Sequence, residues 1–286
     1  MKIAVLSKSD ASGGGASRVA TELVDRLLAS GYLADHWTAR QYAPTHHPLK
    51  RLYGDRSLID VTIRIGHAVL RRIGAPELWP VERFNSSLMA LRSYDIVHVH
   101  DISNALAVQT LMWLARFRPL VWTLHDCSPF TGGCLYPLDC LRFQDHCGHC
   151  PQKGTWPLRG WLDMTAAMHA HKRSFAASTR FTAIAPSQWM VNLAESSGFF
   201  PRPSMISNGI DLDVFRPLDK YQARRQLDLP QNRVLIAICS NDLNEIRKGV
   251  RSALEIARAA QAIPRNCPVP SRAPSRRART APIRRR

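Results

Sequence analysis

The first 31 residues constrain the fold more than any other segment, because an apolar run, a glycine loop and a helical pattern follow one another there. Residues 2–7 are mostly apolar, and the loop after them contains Gly13, Gly14 and Gly15. Apolar positions then recur at helical spacing before a stop at Gly31; they are Val19, Leu23, Leu27 and Leu28. This order predicts a strand, a tight loop and a helix, the opening unit of a doubly wound parallel sheet.

The same alternation of strands and helices continues along the chain. Apolar runs predict strands at 95–100, 120–124 and 181–185, while helical spacing predicts helices at 104–116 and 161–177. Pro186-Ser187 then starts a further helix. Strands that alternate with helices indicate parallel βαβ units, so the expected class is α/β.

Three polar or glycine-rich segments come directly after predicted strands. The glycine loop follows the first strand, His100 ends the second, and His125-Asp126 follows the third. Ligands of open parallel sheets bind outside the carboxyl ends of the strands. We therefore expect these segments to converge on one crevice, with His100 and His125 as candidate cleft residues.

The second half of the chain predicts an incomplete second domain. Residues 198–217 resemble a loop, 234–239 a buried strand and 249–260 a helix. Residues 261–286 contain eight arginines and five prolines without hydrophobic periodicity, so we expect this tail to be disordered. The predicted domains are 1–200, 201–260 and the tail.

The net charge of +17 is less informative than its distribution. Eight of these charges lie in the tail, which lacks the interleaved aromatics of a nucleic-acid site, so no nucleic-acid partner is expected. The other 260 residues carry a net charge of +9, which suits an enzyme of anionic substrates or one near an anionic membrane. No apolar run is long enough to span a bilayer, and the expected location is the cytoplasm.

A helix predicted at 58–73 mixes apolar and basic positions. Arg64, Arg71 and Arg72 could form one basic face of this helix. Two interpretations stay open, a solvated helix face and a surface that lies on a membrane. The second would make the protein a peripheral component at the inner membrane face.

Five of the seven cysteines lie between Cys127 and Cys150. Four of them have spacings compatible with a tetrahedral structural zinc site, and one pair forms Cys-x-x-Cys; they are Cys134, Cys140, Cys147 and Cys150. Unligated packed thiols and redox pairing are the alternatives. His146 and His149 are candidate substitute ligands.

Eight short segments stand out in order along the chain: GGGASRVA at 13–20, DIVHVH at 95–100, TLHD at 123–126, FTGGC at 130–134, CGHCP at 147–151, APS at 185–187, NGID at 208–211 and RKG at 247–249. In their order and spacing they resemble family 4 glycosyltransferases, which have the GT-B fold. The cysteine-rich insert is similar to a subgroup that builds bacterial surface polysaccharides. The resemblance implies two Rossmann-like domains and retaining transfer, of hexosyltransferase type, from a nucleotide-diphosphate sugar to a saccharide or lipid-linked saccharide.

The resemblance also implies roles for individual residues. Arg247 and Lys248 would bind the donor diphosphate, and the glycine loop would approach acceptor or phosphate. His125, with Asp126 beside it, would contact the transferring sugar as the catalytic pair. Such enzymes use basic side chains and helix N-termini rather than a catalytic metal, so no cofactor is required for catalysis.

The sequence departs from the family pattern in its second half. Residues 239–242 read CSND, where members commonly carry Gly-Arg, and no late pair of glutamates follows. We therefore expect a truncated or frameshifted second domain, with full activity in doubt. The competing hypothesis is a non-catalytic remnant that binds acceptor or a protein partner but no donor.

Overall fold

The apolar run at the N-terminus forms β1 (Lys2–Ser9), an inner strand of a parallel sheet. The computed structural model describes residues 1–43, 45–53, 58–239 and 248–262. β1 pairs in parallel with β2 on one side and with β4 on the other. The seven strands have the order β3-β2-β1-β4-β5-β6-β7. The others are β2 (Leu33–Arg40), β3 (Leu49–Arg51), β4 (Ile96–Val99), β5 (Leu120–Thr123), β6 (Thr182–Ala185) and β7 (Ser204–Met205).

Helices cover both faces of the sheet because alternate residues of a strand point in opposite directions. Ile3 and Val5 pack with residues of α1 in one cluster, whereas Ala4 and Leu6 belong to the larger cluster that includes Leu111 of α3. The helices are α1 (Gly15–Ala29), α2 (Leu58–Ile73), α3 (Val108–Ala115), α4 (Thr165–Ser178), α5 (Gln188–Ser196), α6 (Lys220–Gln226) and α7 (Val250–Ala262). The predicted α/β class with a doubly wound parallel sheet is confirmed.

The sequence prediction missed β2, which lies beside β1. Its interior contains a polar residue, His36, which is fully buried. The His36 ring bonds to the Ser7 hydroxyl at 2.8 Å and to His47 at 3.2 Å, and His47 contacts Asp25 at 2.7 Å. This chain of hydrogen bonds allows a polar side chain inside the sheet. Because β2 therefore lacks a continuous apolar pattern, its hydropathy does not indicate a strand.

The chain divides into two compact units, Met1–Asp211 and a second that starts at Leu212. The predicted buried strand at 234–239 is wrong, since these residues form no strand and Val234 is 91% exposed. A strand needs a hydrogen-bonded neighbour, and the described part of the second unit contains helices α6 and α7 without a strand. The tail 263–286 lies outside the described residues, and the predicted domain limits stay predictions.

In the described part of the chain, no helix combines the length and the apolar character needed to cross a membrane.

A buried ion pair ties α4 to the rest of the first unit. Lys172 Nζ lies 2.7 Å from Glu77 Oε2, and both side chains are at most 8% exposed. The same ammonium donates to the carbonyl oxygens of Ser128 and Thr131 at 2.7 and 3.2 Å. Every proton of Lys172 therefore has an acceptor, and the segment that follows β5 is held against α4.

Replacing Lys172 with Met should lower the free energy of unfolding by about 3 kcal/mol, because removal of one partner leaves the other charge buried and unpaired. Chemical denaturation measures the change. Lys153→Met, at an exposed lysine, is the matched control and should have little effect. Equal stability of both variants would contradict a structural role for the pair.

Candidate functional site

The carboxyl ends of the strands form the edge at which the candidate site lies. Helix α1 begins at Gly15, and Gly14 before it has a φ of 120° and provides no side-chain cap. Gly13 packs so closely that a Cβ there would lie 1.5 Å from Ser9 Oγ. The first amides of α1 are thus left without a side-chain cap, and uncapped amides at a helix N-terminus favour an anionic ligand.

Asp10 fixes the loop between β1 and α1. Its carboxylate accepts hydrogen bonds from the amides of Ser12 and Ala43, both at 3.0 Å, and from the amide of Tyr42. Burial opposes the charge, but these backbone bonds outweigh it and lower the pKa of Asp10. The loop after β1 is therefore tied to the segment that follows β2.

Three histidines cluster where β4 and β5 end. His100 Nδ1 lies 2.9 Å from His125 Nε2, and His98 Nε2 lies 2.8 Å from Thr123 Oγ1. The ring centroids of His98 and His100 are 4.4 Å apart. Burial lowers the pKa of His98 and of His125 to about 4 and that of His100 well below its ordinary value, so the cluster is neutral at pH 7.

One tautomer of the His100–His125 pair leaves a hydrogen-bond donor for a ligand. His100 Nε2 is buried and has no partner among the described residues. A lone pair costs less there than an N–H, so we assign the proton to His100 Nδ1, which donates to His125 Nε2. The neutral His125 ring then carries its proton on Nδ1. His125 is only half-buried, so this N–H can reach a ligand oxygen.

Asp126 and Asp101 place two carboxyl groups near the histidines. Burial raises the pKa of Asp126 to about 6, helped by the proximity of Asp101, against a hydrogen bond from the Ser128 amide at 2.8 Å. Asp101 pairs with Lys8 Nζ at 2.8 Å. Lys8 and Asp101 were not predicted from the sequence, although both lie at or just beyond strand ends. Asp126 is thus oriented toward its own loop and changes charge near pH 6.

The structure brings together the glycine loop, His100, His125 and Asp126 at one edge of the sheet, as their positions after the strands predict. Arg247 lies outside the described residues. Lys248 is exposed just before α7 in the second unit. The assignment of these two cations to the donor diphosphate stays a prediction, as do the catalytic roles of His125 and Asp126.

The cysteine-rich segment encloses a small cavity of about 20 Å³ lined by the four predicted ligands, Cys134, Cys140, Cys147 and Cys150. Its volume matches one water-sized group, and four thiols suit zinc. In the described residues, however, no three or more His, Cys, Asp or Glu side chains are placed to hold a metal ion. Cys147 Sγ instead accepts a hydrogen bond from the Gly132 amide at 3.2 Å. The donor chemistry fits zinc, whereas binding would need a different arrangement of the four thiols.

Comparison with known proteins adds a family match. Residues 13–214 match the family model described as Glycosyltransferase Family 4. No curated protein matches the chain significantly. Among solved structures, Anabaena HepE in complex with UDP is similar with a TM-score of 0.43 and 17% identity, over 80% of this chain and 50% of that one. The present chain therefore spans about half the length of the HepE chain.

The histidine cluster predicts a loss of stability in acid. Unfolded histidine takes up a proton near pH 6.5, but folded His98 does so only near pH 4. The unfolded state therefore binds more protons between these values, and stability falls as the pH falls through that window. In His98→Asn, the slope of unfolding free energy against pH should be shallower by up to about 1.4 kcal/mol per pH unit.

Urea denaturation at several pH values between 4 and 7 measures this slope. His46→Asn, at an exposed histidine, is the control and should retain the wild-type slope. An unchanged slope in His98→Asn would show that His98 protonates equally well in the folded state.

The zinc prediction is tested by metal analysis of the purified protein. We expect bound zinc, its loss in Cys134→Ser, and a lower melting temperature of that variant, because a structural metal stabilises the segment that it binds. Cys239→Ser, at an exposed cysteine outside the cluster, should change neither. Metal-free protein in which the four cysteines of the cluster remain reduced would support packed thiols instead, and oxidised pairs among them would support redox chemistry.

Proposed function

The chain belongs to glycosyltransferase family 4, and from this premise we propose that it takes part in retaining transfer of a hexosyl group from a nucleotide-diphosphate sugar to an acceptor. The acceptor is a saccharide or a lipid-linked saccharide, and the pathway is surface polysaccharide synthesis at the cytoplasmic face of the membrane. The cysteine-rich segment supports this choice by its similarity to that subgroup. HepE was solved with UDP, which is compatible with a nucleotide-sugar donor.

The observation that carries the proposal is the 2.9 Å contact between His100 Nδ1 and His125 Nε2 at the sheet edge. In the tautomer assigned above, His125 Nε2 accepts this hydrogen bond, and His125 Nδ1 carries the proton that can be donated to a ligand. A neutral donor can stabilise a sugar hydroxyl or the charge that develops on bond cleavage without taking up a proton. The uncapped start of α1 supplies a second group of amides for an anionic oxygen.

The second chemical requirement of the reaction is a group of cations for the donor diphosphate, which we place in the second unit. The leaving diphosphate must be neutralised as the glycosidic bond breaks, and Arg247 and Lys248 are the cations proposed for this. Arginine grips a phosphate with two parallel hydrogen bonds, while lysine acts as a point charge. No catalytic metal is required in this scheme.

A second candidate is a protein that binds acceptor but no donor. The exposure of Val234 and the absence of a strand in the described part of the second unit favour it. Calorimetry with UDP-sugars and GDP-sugars separates the two functions. Tight binding of either donor would exclude the second candidate, and failure of all of them would support it.

His125→Ala should lower kcat about a hundredfold with a smaller change in KM, because a hydrogen bond that strengthens in the transition state is lost. The assay follows transfer of labelled sugar from UDP- or GDP-sugars to a lipid-linked saccharide fraction.

His46→Ala is the matched control, since His46 is exposed and lies outside the histidine cluster. Its kcat should equal that of the wild type. A His125→Ala variant with unchanged kcat would remove His125 from the proposed mechanism.

A further inference from the structure

A cavity of about 720 Å³ lies beside the carboxyl end of β2, between residues 39–42 and one side of α2. This volume is typical of sites that bind small molecules. No Asp or Glu of the described residues lines it. Four arginines do: Arg40, Arg51, Arg64 and Arg71. The cavity wall is therefore strongly positive.

Three of these guanidinium groups have no carboxylate counter-ion. Arg40, Arg64 and Arg71 form no salt bridge with any described residue. Partial burial and the nearby Arg40 both lower the pKa of Arg71. Like charges held close together disfavour one another unless an anion lies between them. The free cavity thus has an excess of positive charge that an anionic ligand would neutralise.

The cavity also contains a buried neutral ring. His67 is 3% exposed and stacks on Tyr53 with centroids 5.2 Å apart. Burial, with Arg71 and Arg40, lowers the pKa of His67 to about 4. Neither ring nitrogen has a hydrogen-bond partner in the described part of the chain, although Nε2 lies 3.5 Å from Glu82 Oε2. A ligand oxygen could satisfy a hydrogen bond that the protein leaves unmade.

The cavity borders the segment that Asp10 ties to the loop after β1. Tyr42 lines it, and the Tyr42 amide is held by Asp10, whose carboxylate also holds the loop that leads to Gly13–Gly15. Arg40 lies level with Ser9 in the pairing of β2 with β1. A ligand in the cavity therefore lies next to the crevice on the side of the sheet formed by β2.

The outer face of α2 is apolar and exposed where it borders the cavity. We call the residues Leu58, Val61, Ile65 and Val69 the α2 stripe; their exposed fractions are 87, 46, 59 and 49%. Their spacing of three, four and four residues places them on one helix face. Val61 and Ile65 also line the cavity. An apolar stripe beside unneutralised arginines is typical of helices that lie on an anionic membrane surface.

We infer that the arginine cavity binds the phosphate or diphosphate group of a membrane lipid, whose apolar part contacts the α2 stripe. Guanidinium groups match phosphate oxygens in geometry as well as charge. The combination of a charged cavity and an adjoining apolar face fits an amphiphile better than a free anion. The inference rests on the proposed function only in naming this lipid as the acceptor, and its test needs no transfer reaction.

The test compares two triple variants of the full chain with equal loss of charge. Arg40→Gln/Arg64→Gln/Arg71→Gln changes the cavity, and Arg116→Gln/Arg159→Gln/Arg180→Gln changes three exposed arginines elsewhere in the first unit. Cosedimentation uses phosphatidylcholine vesicles with and without phosphatidylglycerol. The cavity variant should bind anionic vesicles about a hundredfold more weakly than the wild type, while the control should keep most of its affinity. Melting temperatures verify that both variants fold.

A third variant and a competitor identify the source of the phosphate. Leu58→Ser/Val69→Ser, at two residues of the α2 stripe that do not line the cavity, should weaken vesicle binding at least tenfold yet leave the affinity for inorganic pyrophosphate, measured by calorimetry, unchanged. Pyrophosphate should compete with vesicles for the wild type.

Three results would overturn the inference. Equal losses in the two triple variants would show general charge attraction, to which the basic tail contributes. Pyrophosphate binding without vesicle binding would indicate a free anion. Competition by UDP but not by pyrophosphate would make the cavity a donor site. None of these results depends on sugar transfer, so the proposed function can fail separately.

Discussion

The parallel pairing of β1 with both β2 and β4 is the constraint on which the site depends. It places Ser9 level with Arg40 on one side, while Leu6 pairs with Val99 on the other. The chain leaving β1 therefore enters the crevice between the arginine cavity and the histidine cluster. The carboxyl ends of parallel strands lie at one edge of the sheet. Residues that follow different strands are therefore close in space although they are far apart in sequence.

The two sides of this crevice differ in charge: the histidine cluster on one side is neutral, and the arginine cavity on the other is positive. Beyond β4 and β5, burial keeps the histidines neutral, and the carboxylate of Asp101 is matched by Lys8. Beyond β2, the described arginines at positions 40, 64 and 71 have no such match. The histidine side suits hydrogen bonding to neutral sugar hydroxyls, and the arginine side suits phosphate.

The sequence predicted those strands and helices in which apolar residues recur at regular spacing. β1, α1 and α2 belong to this group, as does the position of His125 after β5. It missed β2 because His36 and Thr38, both buried, interrupt the apolar pattern, and hydrogen bonds from Ser7 and His47 replace the hydrophobic contact. The prediction at 234–239 failed in the opposite way, because a strand was predicted there and none forms. Its apolar composition was correct for a strand, but a strand also requires a partner, which a single segment does not encode.

The sequence predicted only those residues of the candidate site that come directly after a strand. His100 was expected in the cleft, yet it is buried, with its Nδ1 2.9 Å from His125 Nε2. The arginine cavity combines Arg40 and Arg51 near the strand ends with Arg64 and Arg71 on α2, so no local motif contains it. Each of these arginines taken alone resembles a solvated surface residue. Their shared cavity, and the lack of a salt bridge from Arg40, Arg64 or Arg71 to any described residue, set this group apart from single solvated arginines.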